Sequence, residues 1–128
     1  MFSTDLSMCA FDGHVVVALR GELDRIDAAY VAATLAALAG RRPVIVVDLT
    51  GLEFIDCSGV QALACGRRQV GQAGGDLVLA VPQPQVMRLL TSTALAHDFS
   101  IYATVEEAVS SIVNALGFEG TQRCVSRQ

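Results

Sequence analysis

Short apolar runs separated by stretches of helical spacing constrain this chain most. The clearest is Val44 to Val47, four apolar residues bounded by Pro43 and Asp48. A run of that kind marks a strand buried on both faces of a parallel sheet. Leu77 to Val81 repeats the pattern. Ahead of the first run, Ala28 to Ala39 is rich in alanine and leucine and carries Val31, Leu35 and Leu38 at helical spacing. Gly40 ends it, as glycine often does. Between the two runs, Ser58 to about Ala73 reads as a second helix, broken by Gly74-Gly75. Strands that alternate with helices need crossover connections, so this part of the sheet is expected to be parallel.

The ends of the chain modify that plan. Residues 4 to 11 are a strand candidate, Asp12-Gly13 is a hairpin turn signal, and His14 to Glu22 is a second strand. Val15, Val17 and Leu19 alternate with Val16 and Ala18, so both faces are apolar and the strand is expected to be central. Pro84 to Leu90 reads as a short helix with proline in its first turn. Ser100 to Ala103 reads as a short last strand. Thr104 is placed to cap a final helix that runs to about Leu116 and stops at Gly117. The expected fold is a single α/β domain over residues 4–116. It has a mixed, mostly parallel sheet, an N-terminal antiparallel hairpin and about four helices packed on it. Residues 117–128 are expected to be a flexible tail.

Composition narrows the function classes. Of 128 residues, 52% are hydrophobic and 5% aromatic, with no tryptophan, so the core must be aliphatic. The formal net charge is -4 and no basic patch is evident, which argues against nucleic acid as a partner. No apolar run approaches the roughly 18 residues of a membrane span, and Met1 to Ala10 does not resemble a secretory signal. Membrane insertion is not expected, and the expected location is the cytoplasm. The four cysteines, Cys9, Cys57, Cys65 and Cys124, would then be reduced. Their spacing fits no zinc pattern, and neither a metal site nor a cofactor is expected. His14 and His97 stand apart and read as surface or turn residues.

The segment Phe54-Ile55-Asp56-Cys57-Ser58-Gly59-Val60 carries the chemistry. It joins a buried strand to a helix, and Ser58 with Gln61 three places on has the form of a capping box. A hydroxyl at a helix mouth can accept a phosphate, because the orphan N–H groups and the helix dipole favour an anion. Neither a histidine nor a lysine lies nearby in sequence to activate a nucleophile, so an enzyme is not expected.

Taken together, Gly21-Glu22-Leu23-Asp24, Val44 to Leu49, the Asp56-Cys57-Ser58-Gly59-Val60 segment and Gly74-Gly75 before Leu77-Val78-Leu79 resemble the STAS domain. The resemblance is to bacterial anti-sigma factor antagonists in particular and spans about residues 5 to 116. It implies a non-catalytic regulator that captures an anti-sigma factor, itself a serine kinase, and so frees a sigma factor. The kinase phosphorylates the motif serine, the pair separates, and a serine phosphatase resets the cycle. Carried onto this chain, the acceptor is Ser58, and Asp24, Asp56, Cys57, Ser58 and Gly59 form the partner-binding site. A monomer or weak dimer is expected.

Relatives commonly carry Ser or Thr where this chain has Cys57. A thiol at a helix N-terminus is more readily oxidised, so Cys57 opens a redox alternative. Cys65 lies eight residues on, about 12 Å along a helix, too far for a bridge without unwinding. Two other readings stay open. The domain could be an unphosphorylated STAS subunit of a lipid-transport or stress-signalling assembly, and Ser58 could be no more than a helix cap.

Overall fold

The computed structural model describes residues 4–11, 14–40, 44–93, 99–116 and 123–127, with side chains described up to residue 111. The elements are β1 (Thr4–Phe11), β2 (His14–Leu23), α1 (Arg25–Ala39), β3 (Val44–Ile55), α2 (Cys57–Gln72), β4 (Asp76–Ala80), α3 (Pro84–Ser92), β5 (Ile101–Tyr102), α4 (Val105–Leu116) and β6 (Arg123–Arg127). They build one six-stranded sheet in the order β5-β4-β3-β2-β1-β6. β2, β3, β4 and β5 are parallel neighbours, while β1 is antiparallel to both β2 and β6. The mixed sheet, the hairpin and the four helices are as expected. The Asp12-Gly13 turn, Gly117 and His97 lie outside the described residues.

Alternation on the strands sorts the two faces. Leu6, Val15, Val17, Leu19, Ile45, Val47, Leu77 and Leu79 point to one side and form the main core with Val31 and Leu35 of α1, Val60, Leu63 and Val70 of α2, and Val86 and Leu90 of α3. Val46, Val78 and Ala80 face the other side, where Ala108 of α4 covers them. α1 and α2 cross so closely that a Cβ on Gly66 would lie 2.6 Å from Leu35 Cδ1.

Three expectations are corrected. First, the strand that opens with the Val44 to Val47 run does not end at Asp48. β3 continues to Ile55, paired with the second half of β2 through register shifts between Ala18 and Arg20 and between Gly21 and Glu22. Gly21 sits at φ +90°, where the absence of a Cβ lets the strand bulge. Gln83 and Gln85, at the start of α3, brace this extension by donating to the carbonyls of Thr50 (2.9 Å) and Glu53 (2.8 Å). Second, the stretch read as a tail includes β6, whose backbone pairs with β1 from Leu6↔Arg127 to Ala10↔Arg123. Third, His14 is not a surface residue. It is 2% exposed and stacks on Phe11 with ring centroids 4.6 Å apart.

Candidate functional site

The site is made by two strands that end side by side. Leu23 closes β2, Ile55 closes β3, and the two are register partners. Each is followed by an aspartate that caps the next helix. Asp24 lies at φ −107°, ψ −173°, and Asp56 at φ −108°, ψ −176°. Adjacent parallel strands are about 4.8 Å apart, so two helix N-termini are delivered to one spot at the end of the sheet. The Asp56 N–H donates to the Leu23 carbonyl (3.3 Å), which ties one cap to the other strand.

The caps are built alike but loaded differently. Asp24 Oδ1 accepts from the N–H groups of Ile26 (3.0 Å) and Asp27 (3.2 Å). Asp56 Oδ1 accepts from Gly59 N–H (3.0 Å). The capping role expected of Ser58 therefore belongs to Asp56. Ser58 stands at the second position of α2, and with Gly59 at the third position the Ser58–Gln61 capping box does not form. The reason is tertiary. The Leu23↔Ile55 pair turns the chain at Asp56, two residues earlier than the serine suggested.

Gly59 is buried. A Cβ there would meet Ile55 Cγ1 at 2.6 Å and Leu23 Cγ and the Leu23 carbonyl at 3.0 Å. The glycine after the serine is thus what lets α2 start against the two strand ends. Cys57 is exposed at the first helical position. Cys65 lies two turns further along the same continuous helix, so a Cys57–Cys65 bridge would require α2 to unwind.

A shallow, open depression of about 390 Å³ is lined by Asp24, Arg25, Ile26, Asp56 and Ser58. The structure therefore brings together three of the five expected site residues, with Cys57 at the edge and Gly59 beneath. It also adds residues that the sequence reading missed. Ile26 is 74% exposed and Phe54 48%, although both are large and apolar. Ile26 follows Asp24 by two positions, and Phe54 precedes Asp56 by two. The signal for Ile26 was present: it falls off the Ala28, Val31, Leu35 stripe that α1 buries. Glu22 and Glu53, both exposed, add negative charge to the same end of the sheet, and Arg25 contributes a cation within the depression. Among the described residues, no group of three or more His, Cys, Asp or Glu is placed to hold a metal ion. No helix among them is long and apolar enough to cross a membrane.

This fold is that of a known domain. The STAS domain model matches residues 6–108, and the chain belongs to that family. Among its relatives is a Mycobacterium tuberculosis protein named as an anti-anti-sigma factor, 35% identical over 80 residues. That alignment takes in 62% of this chain, which spans about half (51%) of the mycobacterial protein's length. BtrV of Bordetella bronchiseptica, named as an anti-sigma factor antagonist, is 29% identical over 113 residues, covering 87% of this chain and 97% of BtrV. Of solved structures, the anti-sigma factor antagonist SpoIIAA in its unphosphorylated form superposes with a TM-score of 0.69 at 25% identity, covering 86% of this chain and 99% of SpoIIAA. SpoIIAA has also been solved in a phosphorylated form, which superposes at 0.63 with 26% identity over 80% of this chain and 99% of that one.

Proposed function

We propose that this protein is a cytoplasmic anti-sigma factor antagonist, without catalysis of its own, that is switched off by phosphorylation of Ser58. It captures an anti-sigma factor that is also a serine kinase and thereby releases the sigma factor. Transfer of phosphate to Ser58 separates the pair, and a serine phosphatase restores the binding form. The observation that carries this reading is the position of the Ser58 side chain on an open depression between two aspartate-capped helix starts, with the capping duty taken by Asp56.

The electrostatics give the switch its direction. A phosphate adds about -1.5 to -2 charges and three acceptor oxygens. On Ser58 it would share the depression with Asp24 and Asp56, against the single positive charge of Arg25. The helix start tolerates the anion within the free protein. A partner fitted to the unmodified hydroxyl leaves neither space nor counter-charge for a dianion. Burying the phosphate beneath it then costs its desolvation and holds it against the carboxylates of Asp24 and Asp56. A loss of ~3 kcal/mol would weaken binding about a hundredfold.

The test is to incubate the protein with its serine-kinase anti-sigma factor and ATP, and to map phosphate by peptide mass spectrometry. One phosphate on Ser58, absent from Ser58→Ala, supports the assignment. Equal labelling of Ser58→Ala would remove it. Binding of the anti-sigma factor should survive Ser58→Ala and fail for Ser58→Asp. Indifference to both substitutions would favour the unphosphorylated assembly subunit.

A further inference from the structure

The register of the outer strands sets Cys9 of β1 directly opposite Cys124 of β6 in an antiparallel ladder. We infer that Cys9 and Cys124 form a reversible disulfide that latches the C-terminal strand onto the sheet edge. Directly opposed residues of an antiparallel pair share one face of the sheet, with Cα atoms about 4.5 or 5.5 Å apart. Both spacings fall inside the ~4.4–6.8 Å window of disulfides. Two of the chain's four cysteines therefore occupy facing positions, and β6 lies beyond residue 108, where the STAS match ends. The latch therefore joins Cys9, within the matched residues, to Cys124, beyond them.

The other cysteines are poor competitors within the folded molecule. Cys9 pairs with Val16 near the start of β2, whereas Cys57 follows the far end of β2 and β3. The seven strand residues between those levels span roughly 23 Å. Cys65 stands on α2, which packs on the main-core face, while Cys9 alternates with Leu6, Met8 and Ala10, which point to that core.

The oxidant is a low-molecular-weight disulfide such as oxidised glutathione. One of the two thiols, as its thiolate, attacks a glutathione sulfur and expels the other half as a thiolate, leaving a mixed disulfide on the protein. The second protein thiolate then attacks the protein sulfur of that mixed disulfide, forming the Cys9–Cys124 bond and releasing the second glutathione. The protein gives up two electrons and two protons, and one oxidised glutathione becomes two reduced molecules. In a reducing compartment such a bond would be transient, as redox-sensing disulfides are. While it lasts, it holds β6 over the β1 edge, which would otherwise offer unpaired backbone groups to another chain.

The experiment treats the full chain with oxidised glutathione and maps disulfides by tryptic mass spectrometry without reduction. The expected product joins the peptide containing Cys9 to the peptide containing Cys124, persists in Cys57→Ser and Cys65→Ser, and vanishes in Cys124→Ser. Amide exchange over residues 123–127 should slow by about tenfold or more on oxidation and recover with dithiothreitol. Statistical pairing among the four cysteines, or glutathione retained on Cys9 and Cys124 without a link between them, would overturn the inference. So would a linked product with unchanged exchange over 123–127. Because the pair sits at the opposite end of the sheet from Ser58, phosphorylation of Ser58 can be scored on the oxidised protein separately, and either result can fail without the other.

Discussion

The two helix starts at the end of the sheet are a controlled comparison made by the fold itself. α1 and α2 both follow strand ends that are register partners, both begin at an aspartate, and the caps share backbone angles within a few degrees. They differ in what comes next. After Asp24 come Arg25, Ile26 and Asp27: a cation, an exposed isoleucine, and a buried carboxylate that accepts the Thr4 N–H at 3.0 Å. After Asp56 come Cys57, Ser58 and Gly59, all small, the last pressed against Leu23 and Ile55. One start is anchored through a side chain and displays bulk. The other is anchored by close backbone approach and displays a hydroxyl. The same capping device thus serves a rim in one case and a modifiable centre in the other.

The largest expected effect tests that division directly. Ser58→Asp places a charge at the second position of α2 and should weaken capture of the anti-sigma factor about a hundredfold, ~3 kcal/mol, in a titration by calorimetry. Stability should change little, because an acid in the first turn suits the helix dipole. If unfolding shifted as much as binding, the serine would be structural and the contrast between the starts would collapse. Next comes Gly59→Ala. Its Cβ would approach Ile55 Cγ1 and the Leu23 carbonyl too closely, and a backbone oxygen cannot step aside as a side chain can. A loss of about 2 kcal/mol is expected in urea unfolding. Asp27, at the same position of α1, carries a full side chain without such a clash, so an unaffected Gly59→Ala protein would mean that the two starts are not packed differently.

Much of this arrangement is legible in the sequence, and the illegible parts have physical reasons. β2, β4, α1 and the body of α2 declare themselves through apolar periodicity because each buries a regular face. The second half of β3 does not, because Gly51 and the register shifts against β2 break the alternation, and the pairing comes from a strand some thirty residues earlier. β6, Arg123-Cys124-Val125-Ser126-Arg127, has no apolar run to announce it and lies at a sheet edge, where its backbone pairs with β1. At the site, Asp24, Asp56 and Ser58 were visible as residue types. Which of Asp56 and Ser58 caps α2 was not, since both are good caps and the choice follows from where Ile55 pairs with Leu23. Gly59 entered the sequence reading only as part of the expected binding site, and the packing adds a steric requirement that no spacing announces.

A smaller pair of effects separates the caps. Asp24→Ala removes an acceptor for two N–H groups, Asp56→Ala for one. Each should cost about 1 kcal/mol in thermal or urea unfolding, with Asp24→Ala the larger. The reverse order would show that the Asp56 cap is reinforced by the tie of its own N–H to Leu23, and that the two devices are less equivalent than their angles indicate.

The smallest effect on the fold falls on Ile26, and it sharpens the rim assignment most. At 74% exposure its side chain contributes little to the core, so Ile26→Ser should leave unfolding within about 0.5 kcal/mol of the parent. An exposed large apolar residue beside a modifiable serine instead has the character of an anchor that is desolvated by a partner. Ile26→Ser should weaken anti-sigma factor binding by about tenfold, ~1.4 kcal/mol, while the rate of Ser58 phosphorylation at saturating kinase stays unchanged. That combination, affinity lost with acceptor chemistry intact, is what a rim residue on α1 and a reacting residue on α2 require. If Ile26→Ser bound normally, the partner would approach from the Phe54 side, and α1 would contribute a cap and a charge but no contact surface.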